Sequence, residues 1–199
     1  VELSFDEGHT FHLVNNTVTI MTSLESKGKA LKSYLSQGEK FSVVQAFQII
    51  KQVLFAVKEV HEAGFLHLDI QDGNVFIKGS LSEEDNLVSL VDFGAARPVC
   101  EDGLCPVIRD RALFSTMGFE SPEIVGHNDG TLRLGAEADL YSVGYLLLLM
   151  LTGKRYTQRE LDSANIGLYL SKRKLKKLNC PAHMADKVHQ IISKALKKT

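Results

Sequence analysis

The chain has 199 residues, 44% hydrophobic and 24% charged, a length that buries a sizeable core as one domain and a composition that excludes a disordered chain. Its 23 basic and 24 acidic side chains leave a formal net charge of −1, which excludes a nucleic-acid binder held by bulk positive charge. Three cysteines, Cys100, Cys105 and Cys180, are too few and odd in number for a disulfide framework and point to a reducing, cytoplasmic setting.

In chain order, "TFHLVNN" (10–16) and "TVTIMTSL" (17–24) are rich in β-branched residues and separated by Asn15-Asn16, the pattern of a hairpin. A polar loop with Gly28 leads to a short helix, "ALKSYLSQ", that ends near Gly38. Ser42 suits an N-cap, and Ala46, Ile49, Ile50, Val53, Leu54, Val57 and Val60 recur at helical spacing behind it. They predict an amphipathic helix over 43–63, closed by Gly64. From 65 to 94 the period shortens: "FLHLDI", "NVFIKG" and "LVSLVDFG" read as small strands joined by polar turns. The stretch 95–120 shows little periodicity and reads as a long loop of the kind that carries function. Helical patterns return at 135–153, 157–166 and 183–198. Within the first of these, "YLLLLML" (145–151) is too short to span a bilayer and reads as a buried core helix.

Four motifs stand in order. His67-x-Asp69-x-x-x-x-Asn74 follows the long helix, and Asp92-Phe93-Gly94 comes after a hairpin-sized gap. "STMGFESPE" (115–123) follows the long loop, and "DLYSVG" (139–144) opens the apolar helix. Taken singly, each is a common turn or cap. The ordered set resembles the C-terminal lobe of the eukaryotic-type protein kinase superfamily, in a bacterial-like version, over nearly the whole chain from about residue 10. The resemblance implies an α+β, mainly α fold, with a small-lobe remnant at 1–24 (hairpin and start of the hinge) and a large lobe at 25–199.

It also implies roles. Asp69 would orient the attacking hydroxyl and accept its proton, while Asn74 and Asp92 would hold Mg²⁺ beside ATP. Met21 would be the gatekeeper, Thr22, Ser23 and Leu24 the hinge that bonds adenine, and Phe76 the support beneath the purine; plain strand and core packing is the competing reading for these. His67 and Phe93 would pack together, and Gly94 would free the backbone after the metal ligand. Thr116 would shape the peptide shelf, and Glu123 would tie the loop end to a later arginine. Asp139 would anchor the catalytic loop, serve as a helix N-cap, or both. Partners would be ATP and a Ser/Thr-bearing protein substrate, with no nucleic acid.

Departures bear on activity. Leu68 stands where the family's loop-phosphate arginine would be, which argues against control by loop phosphorylation. Gln71 replaces a lysine that would touch the transferring phosphate, and Asp72-Gly73 replaces a proline-acidic pair. No Gly-rich loop or strand-borne lysine precedes residue 10, so the sequence reads as an excerpt of a longer protein whose start lies upstream. The arginine partner of Glu123 is expected beyond the last residue. Two other readings stay open: a pseudokinase or docking module without turnover, and a small-molecule phosphotransferase of the same fold. Cys100 and Cys105 read as free thiols rather than a redox pair, and the basic "SKRKLKKL" (171–178) as a solvated face.

Overall fold

Ser42 starts the longest helix of the computed structural model, which describes residues 2–5, 9–14, 17–22, 28–79, 87–108, 118–126, 131–163 and 169–197. Its hydroxyl accepts from Gln45 N–H at 3.2 Å while Ser42 N–H donates to Gln45 Oε1 at 2.9 Å. This reciprocal capping box satisfies two donors that a helix start leaves without partners. Helix α2 (Val43–Glu62) then buries Val43, Ala46, Ile49, Ile50, Val53 and Val57 along one stripe. The helix α1 (Leu31–Ser36) precedes it, with Leu31 buried and Gly38 at φ 77° in the reversal between them.

The stripe packs on α4 (Ala136–Thr152), in which every residue from Tyr141 to Leu151 is buried. A helix apolar on all sides has to sit inside the core, and α4 does. Each fully buried aliphatic side chain along these faces contributes about 1.5–3 kcal/mol. The helix α4 ends at Gly153, whose φ of 66° suits a glycine, and Gly153 N–H caps Leu149 O at 2.8 Å. On its other side lies the final helix. Lys172–Lys177 (α6) and Ala185–Ala195 (α7) complete this half, and α7 buries Val188 and Ile192 against α4. Between α4 and α6 lies α5 (Gln158–Ser163). At Gly144 α4 and α7 approach closely: a Cβ there would stand 2.5 Å from the Ala195 Cβ.

The described residues also form small antiparallel sheets. The strands β1 (Glu2–Phe5), β2 (His9–Val14) and β3 (Thr17–Thr22) pair in that order, with Thr10 opposite Met21. A strand at 2–5 was not expected from the sequence; the hairpin of β2 and β3 was, although Asn15-Asn16 lies outside the described residues. The strand β4 (Lys29–Ala30) pairs with β6 (Val75–Lys78), which pairs with β7 (Leu87–Leu90). The strand β5 (Phe65–Leu66) pairs with β8 (Arg97–Pro98). Part of the stretch expected as loop is therefore strand: β8 and β9 (Cys105–Ile108), the latter paired with β10 (Thr131–Leu134). Irregular side-chain patterning hides strands this short, because two to four residues show little alternation.

The turn before β9 decides the cysteine question. Cys100 N–H donates to Leu104 O and Gly103 N–H to Cys100 O, with Gly103 at φ 76°. Cys100 thus stands opposite Leu104, and alternation sends Cys105 to the other face. Accordingly Cys100 is exposed and Cys105 buried, both as free thiols.

Replacing Gly144 by valine should lower stability by about 1–3 kcal/mol, the range for overpacking a close helix crossing. A denaturant-unfolding midpoint unchanged from the parent protein would contradict that packing.

Candidate active site

The helix α2 ends with Gly64 at φ 81°, which turns the chain into β5, and Val99 N–H bonds Gly64 O at 2.9 Å. The next residues carry the His-x-Asp motif, and a residue more than seventy positions away fixes them. Asp139, on the first turns of α4, is fully buried. Its Oδ2 accepts from His67 N–H and its Oδ1 from Leu68 N–H, both at 2.8 Å. His61 Nε2, on the last turn of α2, lies 2.8 Å from the same Oδ2. The two backbone bonds hold Leu68 at φ 61°, a left-handed conformation that costs a leucine about 1–2 kcal/mol. Charge-assisted bonds to a buried carboxylate are strong enough to offset that strain.

From this anchored point the loop presents Asp69. Asn74 Nδ2 donates to Asp69 Oδ2 at 2.8 Å and to Asp69 O at 2.9 Å, and Gln71 Nε2 donates to Asp69 Oδ1 at 2.9 Å. Both carboxylate oxygens are thereby oriented by neutral amides. Asn74 then enters β6, whose register against β7 pairs Val75 with Leu90. Val91 N–H donates to Asn74 O at 2.9 Å, so Asp92 emerges one residue past Asn74's partner on the neighbouring strand. Asp92 is exposed, at φ 65°, and its Oδ1 accepts from Gly94 N–H at 3.2 Å. Phe93 turns back, its ring centroid 4.8 Å from that of His67.

Burial pushes the Asp69 carboxyl above the ordinary aspartate range; the Asn74 and Gln71 bonds pull it back, and the nearby Asp92 charge raises it again. His67 is shifted the other way. Burial lowers its pKa, against the pull of Asp139, Asp69 and Asp92, so the ring is held neutral. Asp69 N–H donates to its Nδ1 at 3.3 Å, which leaves the ring proton on Nε2.

The structure brings Asp69, Asn74 and Asp92 together, with Gln71, His67, Phe93 and Gly94 around them. Asp139 lies beneath, as an acceptor for loop backbone, and is already inside α4 rather than at its N-cap, which is Gly135. Phe76 is on β6 between buried Val75 and Ile77, and its side chain is only partly buried on the opposite face of the strand. Met21 and Thr22 lie on β3, and Glu123 on α3 (Pro122–Gly126), partly buried. Ser23, Leu24 and Thr116 lie outside the described residues. Sequence reasoning missed His61 and the bond from the Gln71 amide to Asp69. It also missed Arg155, whose Nη2 donates to both oxygens of the buried Asp72 at 2.8 and 2.7 Å. Only the Asp72 that departs from the expected proline gave a hint.

A phosphotransferase is the class that this loop-and-strand arrangement suggests, and comparison with known proteins is specific. Residues 8–199 match the protein kinase domain family model, and the chain belongs to that family. It is 29% identical over 192 residues to serine/threonine-protein kinase PLK4 of Drosophila grimshawi, covering 96% of this chain and 23% of that protein. Over 145 residues it is 30% identical to human death-associated protein kinase 2, covering 73% of this chain and 36% of the relative. The probable serine/threonine-protein kinase PknB of Lactococcus lactis is 28% identical over 127 residues, 64% of this chain and 18% of its own. The chain thus spans well under half the length of each of these relatives.

Two outcomes follow from the site's physics. Asp139→Ala strands two buried N–H donors and should destabilise the protein by about 2–6 kcal/mol in chemical denaturation; His61→Ala, at a partly exposed position, should have a much smaller effect. The second concerns pH. Asp69 in the unfolded chain ionises near its ordinary value of 3.8 and in the fold only at higher pH. As pH rises through that window, the unfolded state releases its proton first, so folding loses stability until the folded carboxyl has ionised too. Asp69→Asn removes this loss. Thermal midpoints should therefore show the parent falling relative to Asp69→Asn across the window, and parallel curves would contradict the shift.

Proposed function

We propose that this chain is the greater part of a protein kinase catalytic domain, whose parent protein transfers the γ-phosphate of ATP to Ser or Thr hydroxyls of proteins. The observation that carries the reading is the convergence of Asp69, Asn74 and Asp92, on two adjoining backbone segments, around one open edge. Residues 1–24 would belong to the small lobe and 25–199 to the large one. Thr22 to Leu24, after the β2–β3 hairpin, would bond adenine, with Met21 as gatekeeper. Similarity to the serine/threonine-protein kinases of Drosophila grimshawi and Lactococcus lactis supports Ser/Thr over Tyr as the acceptor.

The donor set suits magnesium. Among the described residues no cluster of three or more His, Cys, Asp or Glu exists to cage a metal. Mg²⁺ asks for less: one or two protein oxygens, completed by phosphate and water. Asn74 turns its Nδ2 toward Asp69, which leaves its Oδ1 as the outward acceptor, and Asp92 Oδ1 carries one backbone bond, leaving the other oxygen for a cation. Bound there, the ion would neutralise charge on the phosphate oxygens. Asp69 orients the acceptor hydroxyl and takes its proton, a task that a carboxyl whose pKa is raised by burial performs better than an ordinary one. Among the described residues no helix is long and apolar enough to cross a membrane, and free thiols favour a cytoplasmic site for the domain.

One observation favours a regulatory module without turnover: the neutral Gln71 bonds Asp69 where the family's lysine would face phosphate. The two readings separate on the full-length protein, assayed for Mg²⁺-dependent transfer from ATP to a Ser/Thr peptide library. Asp92→Ala should lower turnover by about 10²–10³-fold and Asp69→Asn by about 10²–10⁴-fold. Transfer undiminished in both variants would overturn the assignment, and nucleotide binding without transfer by the parent would leave the regulatory module.

A further inference from the structure

Asn74 N–H donates to Gln71 O at 3.0 Å, which closes a β-turn with Asp72 and Gly73 at its centre. The first central position of such a turn favours proline, whose ring fixes the needed φ. Here it is an aspartate, and Gly73 after it adds further freedom. Nothing in the covalent chain stiffens this turn, yet its ends carry Gln71 and Asn74, the two side chains that orient Asp69.

Restriction comes from outside. The Asp72 carboxylate is 2% exposed, and a buried carboxylate needs a cationic partner. Arg155 supplies one, with Nη2 bonded to both oxygens. Arg155 is itself held at a firm corner: Gly153 caps α4 two residues before it, and the Tyr145 hydroxyl grips Tyr156 after it, donating to Tyr156 O at 2.8 Å and accepting from Tyr156 N–H at 2.7 Å. The guanidinium also lies 5.5 Å over the Phe119 ring. Across the turn, Lys32 N–H donates to Asp72 O at 2.8 Å.

We propose that Arg155 is a positioning residue for phosphoryl transfer, holding the 71–74 turn through Asp72 so that Gln71 and Asn74 keep the Asp69 carboxylate aimed. The rate consequence rests on the kinase reading; the consequence for the loop does not. The test uses full-length protein with Arg155→Met, which keeps an apolar stem and removes the charge, and the same variant carrying Asp72→Pro, which supplies the turn's φ covalently.

In Arg155→Met, hydrogen exchange at the Asn74 amide should accelerate by about tenfold or more while the amides of Leu146 to Met150 in α4 stay protected. The value of kcat should fall about 10–100-fold with KM for ATP within about twofold, the signature of a misaimed group rather than lost binding. Adding Asp72→Pro should restore both. Unchanged exchange at Asn74, a rise of equal size in α4, or no recovery with Asp72→Pro would each overturn the proposal. A parent protein that transfers no phosphate would sink the kinase reading instead, and the exchange measurements would still decide the role of Arg155.

Discussion

A single buried carboxylate organises the active-site half of this domain. Asp139 is fully buried at the start of a helix that is buried throughout from Tyr141 to Leu151, so its position is set by the core and not by the loop it serves. Because its two oxygens accept the His67 and Leu68 amides, the loop is attached to the buried core helix. A carboxylate without partners in that place would be prohibitively unfavourable; with two N–H donors and the His61 ring around it, it becomes a fixed reference point. The left-handed Leu68 is the visible trace of how tightly it constrains the chain, since a leucine adopts that backbone only when its surroundings over-determine it.

From that reference point the site is built with short-range polar contacts. Asp69 is aligned by two amides within five residues of it, and Asp92 reaches the same edge because β6 and β7 pair in register. The two anchors of the loop, Asp139 at its start and Arg155 at its turn, both come from α4 or the corner just after it. One core helix therefore governs both ends of an eight-residue loop. Its apolar surface and its polar attachments are two uses of the same rigidity.

Much of this was legible in the sequence, and the reasons differ by element. The α2 helix was expected over 43–63 and spans Val43–Glu62, because its period, Ser42 cap and closing glycine all agree. The helix expected over 135–153 spans Ala136–Thr152, because its unbroken apolar run is closed by Gly153. The C-terminal pattern at 183–198 resolved into a 3₁₀ turn at Ala182–Met184 followed by Ala185–Ala195, since periodicity does not distinguish a tight first turn from α-helix. The two-residue strands Lys29–Ala30 and Arg97–Pro98 were missed, being too short to show a pattern. Within the site, the motif spacing located Asp69, Asn74 and Asp92. The pairings Arg155–Asp72 and His61–Asp139 were hidden, because they join residues 83 and 78 positions apart and depend on how helices cross, which no local pattern records.

Asp92 carries one more consequence. It holds a left-handed backbone at φ 65°, with its charge turned outward and one carboxylate oxygen bonded only to Gly94 N–H. Glycine or asparagine would sit there with less conformational penalty and no ionic repulsion from Asp69. Any engineering campaign that ranks variants of this domain by thermal tolerance alone would thus favour replacing the residue proposed to hold magnesium. Robustness and the proposed catalysis pull this position in opposite directions.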